Sequence, residues 1–113
     1  MLAQLEEFVS KRLVAKPEQI QSFCQHWKIV EMAIFGSVLR DDFRPDSDID
    51  FLVKFDPASE WTLFDYIHMI EELEELLHRK VDIAEEKGLV NPYRRHSILS
   101  TCRTIYKVQY ENE

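Results

Sequence analysis

Apolar residues recur at three- and four-residue intervals in two stretches near the start of the chain. This spacing predicts two helices, each with one buried face. The first covers residues 2–14, and the second begins at Pro17, which the first turn of a helix tolerates, and ends near Trp27. The Asn-Pro pair at 91–92 is a typical helix start, so we expect a further helix from there to about Cys102.

A longer helix is predicted after Thr62, because Asp65 three residues later completes a capping box. Its outer face carries four glutamates, which we expect to be solvated; they are Glu71, Glu72, Glu74 and Glu75. Its inner stripe, which we expect to face the core, consists of Leu63, Ile67, Ile70, Leu73, Leu76 and Leu77.

Residues 48–55 alternate between two faces, as a strand does. Three further strands are predicted at residues 29–35, 81–84 and 104–108, and the first of them ends at Gly36. Helices and strands that alternate in this way indicate an α/β (α+β) fold, in which helices pack on a small mixed β-sheet. On the alternating strand we expect a core face and a chemical face: Ile49, Phe51, Val53 and Phe55 against Asp48, Asp50, Leu52 and Lys54.

The composition fits one small globular domain over residues 1–113, since 45% of the residues are hydrophobic. A net charge of −7 repels phosphate backbones, which argues against direct nucleic-acid binding. No apolar run approaches the ~20 residues that a bilayer requires, and the chain start carries Glu6 and Glu7 where a signal peptide needs positive charge. We therefore expect a cytoplasmic protein with no membrane contact. Cys24 and Cys102 have no metal-binding spacing and are expected to be core residues within helices.

Gly36 and Ser37 follow a predicted strand directly and precede a short helical turn. A glycine there lets the backbone approach a phosphate closely, and free N–H groups with the Ser37 hydroxyl can donate hydrogen bonds to its oxygens. A plain turn with an N-cap is the structural alternative.

Asp48 and Asp50 project from one face of their strand, with Cα atoms roughly 6.5 to 7 Å apart. Strands are depleted in Asp, and two such charges repel each other by about 1 kcal/mol in water, so a divalent cation such as Mg²⁺ is favoured over two solvated acids. Asp82 also projects away from its apolar neighbours and is placed to join them. Three carboxylates on one surface suit two-metal nucleotidyl transfer, in which Asp82 could also act as a general base.

Gly36-Ser37, ten further residues and then Asp48-Ile49-Asp50 resemble the Gly-Ser-x10-Asp-x-Asp signature of polymerase-beta-like nucleotidyltransferases. The chain is most similar to their minimal group, the MNT or MntA-type antitoxins. The resemblance implies catalytic and metal-binding roles for Asp48, Asp50 and Asp82, with two Mg²⁺ ions per site. It further implies that three residues bind the phosphates of ATP: Gly36, Ser37 and Arg40.

The resemblance also implies a function. Such proteins neutralise a cognate HEPN ribonuclease toxin by transferring AMP from ATP to a toxin tyrosine, so we expect a protein adenylyltransferase in a hetero-oligomer with that toxin. Two alternatives stay open: an antitoxin that masks the toxin by binding alone, and a nucleotidyltransferase for a small molecule. A basic cluster at Tyr93–His96 could contact ATP or the partner, or could be a solvated first turn of a helix.

Overall fold

The computed structural model describes Leu13 and residues 15–108. Four β-strands form the centre of the fold in this part of the chain. In chain order these are β1 (Ile29–Phe35), β2 (Ile49–Phe55), β3 (Val81–Glu85) and β4 (Arg103–Lys107). They form one sheet in the order β3-β2-β1-β4. β1 pairs antiparallel with β2 and β4, whereas β2 and β3 are parallel, so the predicted mixed sheet is confirmed.

Within residues 15–108, three α-helices connect and cover these strands: α1 (Pro17–His26), α2 (Leu63–Leu77) and α3 (Pro92–Thr101). The predicted caps are present, since Thr62 and Asp65 form the capping box of α2 and Asn91 caps α3. The helix predicted at residues 2–14 lies outside the described residues, apart from the buried Leu13.

The main core lies on the sheet face that α1 and α2 cover. β2 contributes Ile49, Phe51 and Val53, which are all buried there, as the alternation of this strand predicts. α1 contributes its predicted stripe, and α2 contributes its last turns. The buried residues of the two helices are Ile20, Phe23, Cys24, Met69, Leu73 and Leu77.

The other sheet face carries a second, smaller core beneath α3. Leu52 of β2 is buried there with Ala33 and Phe35 of β1, and Ile98 of α3 packs on them. The expected chemical face is therefore not uniform: α3 covers Leu52, whereas Asp50 is half-buried and Lys54 is exposed.

The predicted stripe of α2 is wrong at its first turns. Leu63 is 73% exposed and Ile67 is 43% exposed, whereas Met69 is completely buried. With 3.6 residues per turn, Ile67 lies about 120° around the helix from Leu73, while Met69 lies about 40° from it. The row of residues that faces the sheet is therefore narrower than the apolar pattern.

Two of the four glutamates on α2 have structural partners instead of being merely solvated. Glu72 Oε1 accepts a 3.0 Å hydrogen bond from the indole N–H of Trp27, and Glu74 Oε2 accepts one of 3.1 Å from the backbone N–H of Val81. Glu71 and Glu75 are exposed as expected. The hydrogen bonds of Glu72 and Glu74 hold α2 against the end of α1 and the start of β3.

Within residues 15–108 no helix combines the length and the apolarity that crossing a bilayer requires. Both cysteines are free thiols. Cys24 is buried in α1 as predicted, but Cys102 is half-buried and follows α3 instead of lying within it.

Candidate active site

β1 ends at Phe35, and the chain turns at once into a short 3₁₀ helix, Gly36–Leu39. Gly36 has a φ of 81°, a conformation that L side chains rarely adopt. A Cβ added at Gly36 would collide with Oδ2 of Asp50 and would lie 3.4 Å from its Cγ. The positive φ favours glycine at this position, and any side chain there would also displace the Asp50 carboxylate.

The sheet register brings the predicted carboxylates together. Asp50 lies opposite Asp82 of the parallel strand β3 and opposite Phe35 of β1. Register partners in adjacent strands lie about 5 Å apart and project from the same face, so Asp50 and Asp82 are neighbours beside the Gly36 turn. Asp48 immediately precedes β2 and is exposed.

Asp50 is the central charge of this cluster. It is half-buried, and its pKa is raised above the ordinary value, first by burial and then by the negative charges of Asp82 and Asp48. Arg94 and Arg40 act in the opposite direction, so both positive charges are close enough to stabilise the Asp50 carboxylate. The site is thus an acidic cluster whose central carboxylate also feels the charge of two arginines.

A divalent cation fits this donor set. Three carboxylates crowd their negative charge on one surface, and carboxylate oxygens are the ligands that Mg²⁺ prefers. In the described ranges no group of three or more His, Cys, Asp or Glu side chains is already arranged around one point. A Mg²⁺ ion bound by one or two carboxylates, together with substrate phosphates and water, matches that arrangement better than a cage made by the protein alone.

Arg40 leaves the 3₁₀ turn on the exposed side. Its Nε donates a 3.0 Å hydrogen bond to Oδ1 of Asp42, and this contact lowers the pKa of Asp42. Both side chains are about 60% exposed, at 60% and 63%. Solvated ion pairs of this kind contribute little to stability, so a phosphate could replace the carboxylate at low cost.

Arg79 holds the loop that leads to Asp48, a role that the sequence analysis missed. Its Nη2 donates to the backbone carbonyls of Arg44 and Ser47, the latter at 3.0 Å. Its guanidinium also lies 4.2 Å from the ring centroid of Phe43. No local pattern distinguishes this arginine, because its partners are 32 to 36 residues away along the chain.

Asp48, Asp82 and Arg40 are exposed, so this part of the candidate site is open to solvent. A cavity of about 780 Å³ lies at the other end of the sheet, where β2 and β3 finish, and none of the predicted site residues lines it. Its walls include Lys54, Phe55, Tyr66 and Glu85. Four of its charged side chains form two ion pairs: Lys54 lies 3.7 Å from Glu86 and Lys87 lies 3.4 Å from Glu85.

Comparison with known proteins places this geometry in a family. Residues 16–105 match the model of the nucleotidyltransferase domain. A protein adenylyltransferase, MntA of Thermococcus cleftensis, is 34% identical over 85 residues, which is 75% of this chain and 80% of that protein.

Two solved structures share the fold. One, described as a minimal nucleotidyltransferase, is 34% identical with a TM-score of 0.66 and covers 89% of this chain and 98% of its own. The other is a chain from a toxin–antitoxin crystal structure with AMP-PNP. It has the same TM-score of 0.66 at 17% identity, over 81% of this chain and 73% of that chain. Together, the family match and the minimal fold show that this chain belongs to the nucleotidyltransferase domain family, as one of its minimal members.

Proposed function

We propose that this protein is a Mg²⁺-dependent antitoxin that transfers AMP from ATP to a tyrosine of a cognate HEPN ribonuclease toxin. The observation that carries the proposal is the close approach of Gly36 to Asp50, because a turn suited to phosphate binding then lies directly against the central carboxylate. The relative named MntA supports protein adenylylation, and the toxin–antitoxin structure with the same fold supports the kind of partner.

In this proposal the tyrosine oxygen attacks the α-phosphorus of ATP. A new P–O bond forms to the tyrosine, the bond from the α-phosphorus to its bridging oxygen breaks, and diphosphate leaves. Asp82, exposed beside Asp50, accepts the proton of the tyrosine hydroxyl or completes the metal site.

The remaining residues bind and orient the reactants. Gly36 and Ser37 bind the phosphates through the turn, and Arg40 contributes a positive charge near them. Asp48 and Asp50, with Asp82, would hold two Mg²⁺ ions per site. Bound Mg²⁺ would offset the charge of the triphosphate and lower the pKa of the attacking hydroxyl.

The open surface favours a protein over a small molecule as the acceptor. Sites for small ligands are usually concave and enclose most of the ligand. Here the carboxylates Asp48 and Asp82 are exposed, and the described cavity of about 780 Å³ lies elsewhere. A partner protein can supply the missing wall of such a site.

The test is the mass of the toxin after incubation with this protein, ATP and Mg²⁺. We expect a gain of one or more AMP groups on a tyrosine. The double variant Asp48→Ala/Asp50→Ala should abolish this gain and the protection of cells. The double variant Glu71→Ala/Glu75→Ala removes the same charge from the exposed face of α2 and should retain both.

Other outcomes would point to the alternatives. An Asp48→Ala/Asp50→Ala variant that still binds the toxin and protects cells would contradict catalysis and favour masking. No transfer to a competent toxin, together with turnover of a hydroxylated antibiotic and labelled ATP, would favour a small-molecule nucleotidyltransferase.

A further inference from the structure

Two consecutive residues between α2 and β3 hold the chain on both sides of Asp48. Nη2 of Arg79 donates a 3.0 Å hydrogen bond to the carbonyl of Ser47, and the backbone N–H of Ile49 donates one of 3.0 Å to the carbonyl of Lys80. The first bond holds the peptide group before Asp48, and the second holds the peptide group after it. Because peptide groups are planar, fixing both of them limits the φ and ψ of Asp48 and the direction of its carboxylate.

The segment that Arg79 contacts is itself a closed turn. The backbone N–H of Ser47 donates a 3.0 Å hydrogen bond to the carbonyl of Arg44, and the backbone N–H of Arg44 donates one of 3.0 Å to Oγ of Ser47. Nη2 of Arg79 also donates to the carbonyl of Arg44, and its guanidinium lies 4.2 Å from the ring centroid of Phe43. These contacts join residues 43–47 into one unit and fix that unit to the segment before β3.

The segment that carries Arg79 is held by α2. The backbone N–H of His78 donates a 2.7 Å hydrogen bond to the carbonyl of Glu74, and Oε2 of Glu74 accepts one of 3.1 Å from the backbone N–H of Val81. Arg79 therefore lies between two bonds to α2, and Asp82 directly follows Val81. The same short segment thus leads into the carboxylate of β3 and holds the loop that leads into β2.

The environment of Arg79 indicates more than a stabilising contact. Its Nε is buried and has no hydrogen-bond partner among the described residues, and a buried N–H group without a partner lowers stability. Stability alone is therefore a poor reason for an arginine here, whereas a planar group that donates to two carbonyls at once fixes the path of the loop. Groups that orient metal ligands typically change metal affinity by about 10- to 100-fold.

We propose that Arg79 is a positioning residue for Mg²⁺ binding, which holds the turn at residues 43–47 so that Asp48 is kept in the place from which it binds the cation. This inference rests on the proposed Mg²⁺-dependent function. It gives the segment between α2 and β3 a part in the site, although Arg79 acts only through the loop.

The test is calorimetric titration of the whole protein with a non-hydrolysable ATP analogue at a series of Mg²⁺ concentrations. Arg79→Ala should raise the Mg²⁺ concentration that gives half-maximal analogue binding by about tenfold or more, because Asp48 is no longer held in place. At saturating Mg²⁺, its affinity for the analogue should return to within about twofold of the wild type.

Two further variants define the effect. Arg79→Lys keeps the charge and can donate to the same carbonyls without the planar group, so it should recover part of the loss. Lys80→Ala removes the neighbouring exposed cation and leaves the carbonyl that Ile49 contacts, so it is the matched control and should require the same Mg²⁺ concentration as the wild type.

The outcomes separate the inference from the proposed function. If the wild type binds no analogue, or binds it independently of Mg²⁺, the proposed function fails, and the inference fails with it. If wild-type binding depends on Mg²⁺ and folded Arg79→Ala requires the same Mg²⁺ concentration within about twofold, only the inference is overturned. A loss of equal size at every Mg²⁺ concentration would also overturn it, because the effect would not depend on the cation. If Arg79→Ala does not fold, Arg79→Met, which keeps an apolar stem beside Phe43 and has no donors, decides in the same way.

Discussion

Gly36 has a φ of 81°, and its Cα faces the carboxylate of Asp50. Each of these facts disfavours any side chain at this position, and they act on different properties. The positive φ raises the energy of the folded backbone when a side chain is present, whereas the close approach of Asp50 limits the space beside its carboxylate.

We predict that Gly36→Ala lowers the free energy of unfolding by about 1–3 kcal/mol and abolishes binding of an ATP analogue, because Cβ strains the turn and displaces Asp50. Denaturant unfolding and calorimetry measure the two effects. Gly88→Ala is the control, since nothing lies within 4 Å of a Cβ at Gly88 and its φ is not positive. A Gly36→Ala protein with wild-type stability and affinity would contradict the role given to the turn.

For single residues, the sequence predicts the members of the motif better than the residues that hold the surrounding loops in place. Gly36, Asp50 and Asp82 come together as expected, because strand alternation and the end of a strand are local properties. Arg79 could not be assigned in the same way. Its role depends on a loop whose carbonyl groups it reaches only through the tertiary fold.

Among the elements, α2 shows how a clear apolar pattern can mislead. Its capping box and its helical character follow from local residues, and both are confirmed. Which apolar residues are buried depends on how the helix lies across the sheet, and the sequence does not contain that angle. Leu63 and Ile67 are exposed for this reason, together with Phe64.

We predict that Leu73→Ala lowers the free energy of unfolding by about 2–5 kcal/mol, because it removes a fully buried side chain from the main core. Leu63→Ala makes the same chemical change at a position that is 73% exposed and should cost less than about 1 kcal/mol. Urea unfolding of both variants measures the difference. Equal losses would mean that the first turns of α2 are packed as tightly as the last.

The strands were predicted more accurately than α2. Each observed strand begins and ends within a residue of its predicted limits, because alternation and short apolar runs between turns are strong local signals. The order of the strands in the sheet was not predicted. It depends on how the connections cross the sheet, as α2 does between β2 and β3.

For the molecule as a whole, the main core contains ionisable groups that the proposed chemistry does not use, among them the thiol of Cys24. Cys24 is completely buried, and burial raises the pKa of its thiol from 9.0 to about 12. In the unfolded chain the thiol titrates near its ordinary value. As the pH rises, the unfolded state therefore loses this proton first and becomes relatively more stable.

We predict that the contribution of Cys24 to stability is complete below pH 9 and falls by about 1.4 kcal/mol per pH unit between pH 9 and 12. Denaturant unfolding across this range should show a steeper decline for the wild type than for Cys24→Ala. Cys102→Ala keeps the buried thiol of Cys24 and should retain the steep decline. Parallel curves for the wild type and Cys24→Ala would show that Cys24 titrates alike in both states.

The parallel pairing of β2 with β3 makes the protein more sensitive to changes of length than to many substitutions. Asp50 and Asp82 are neighbours only because β3 pairs with β2 in this register, in which the Val81 side chain is buried in the main core. One codon inserted in β3 just ahead of Asp82 would move that carboxylate to the opposite face of the sheet and bring an apolar neighbour outward. A second inserted codon would restore the orientation but shift the carboxylate along the strand by about 6.6 Å. In homologous genes, insertions and deletions should therefore occur in the connecting loops and be absent from the five residues of β3 (Val81–Glu85).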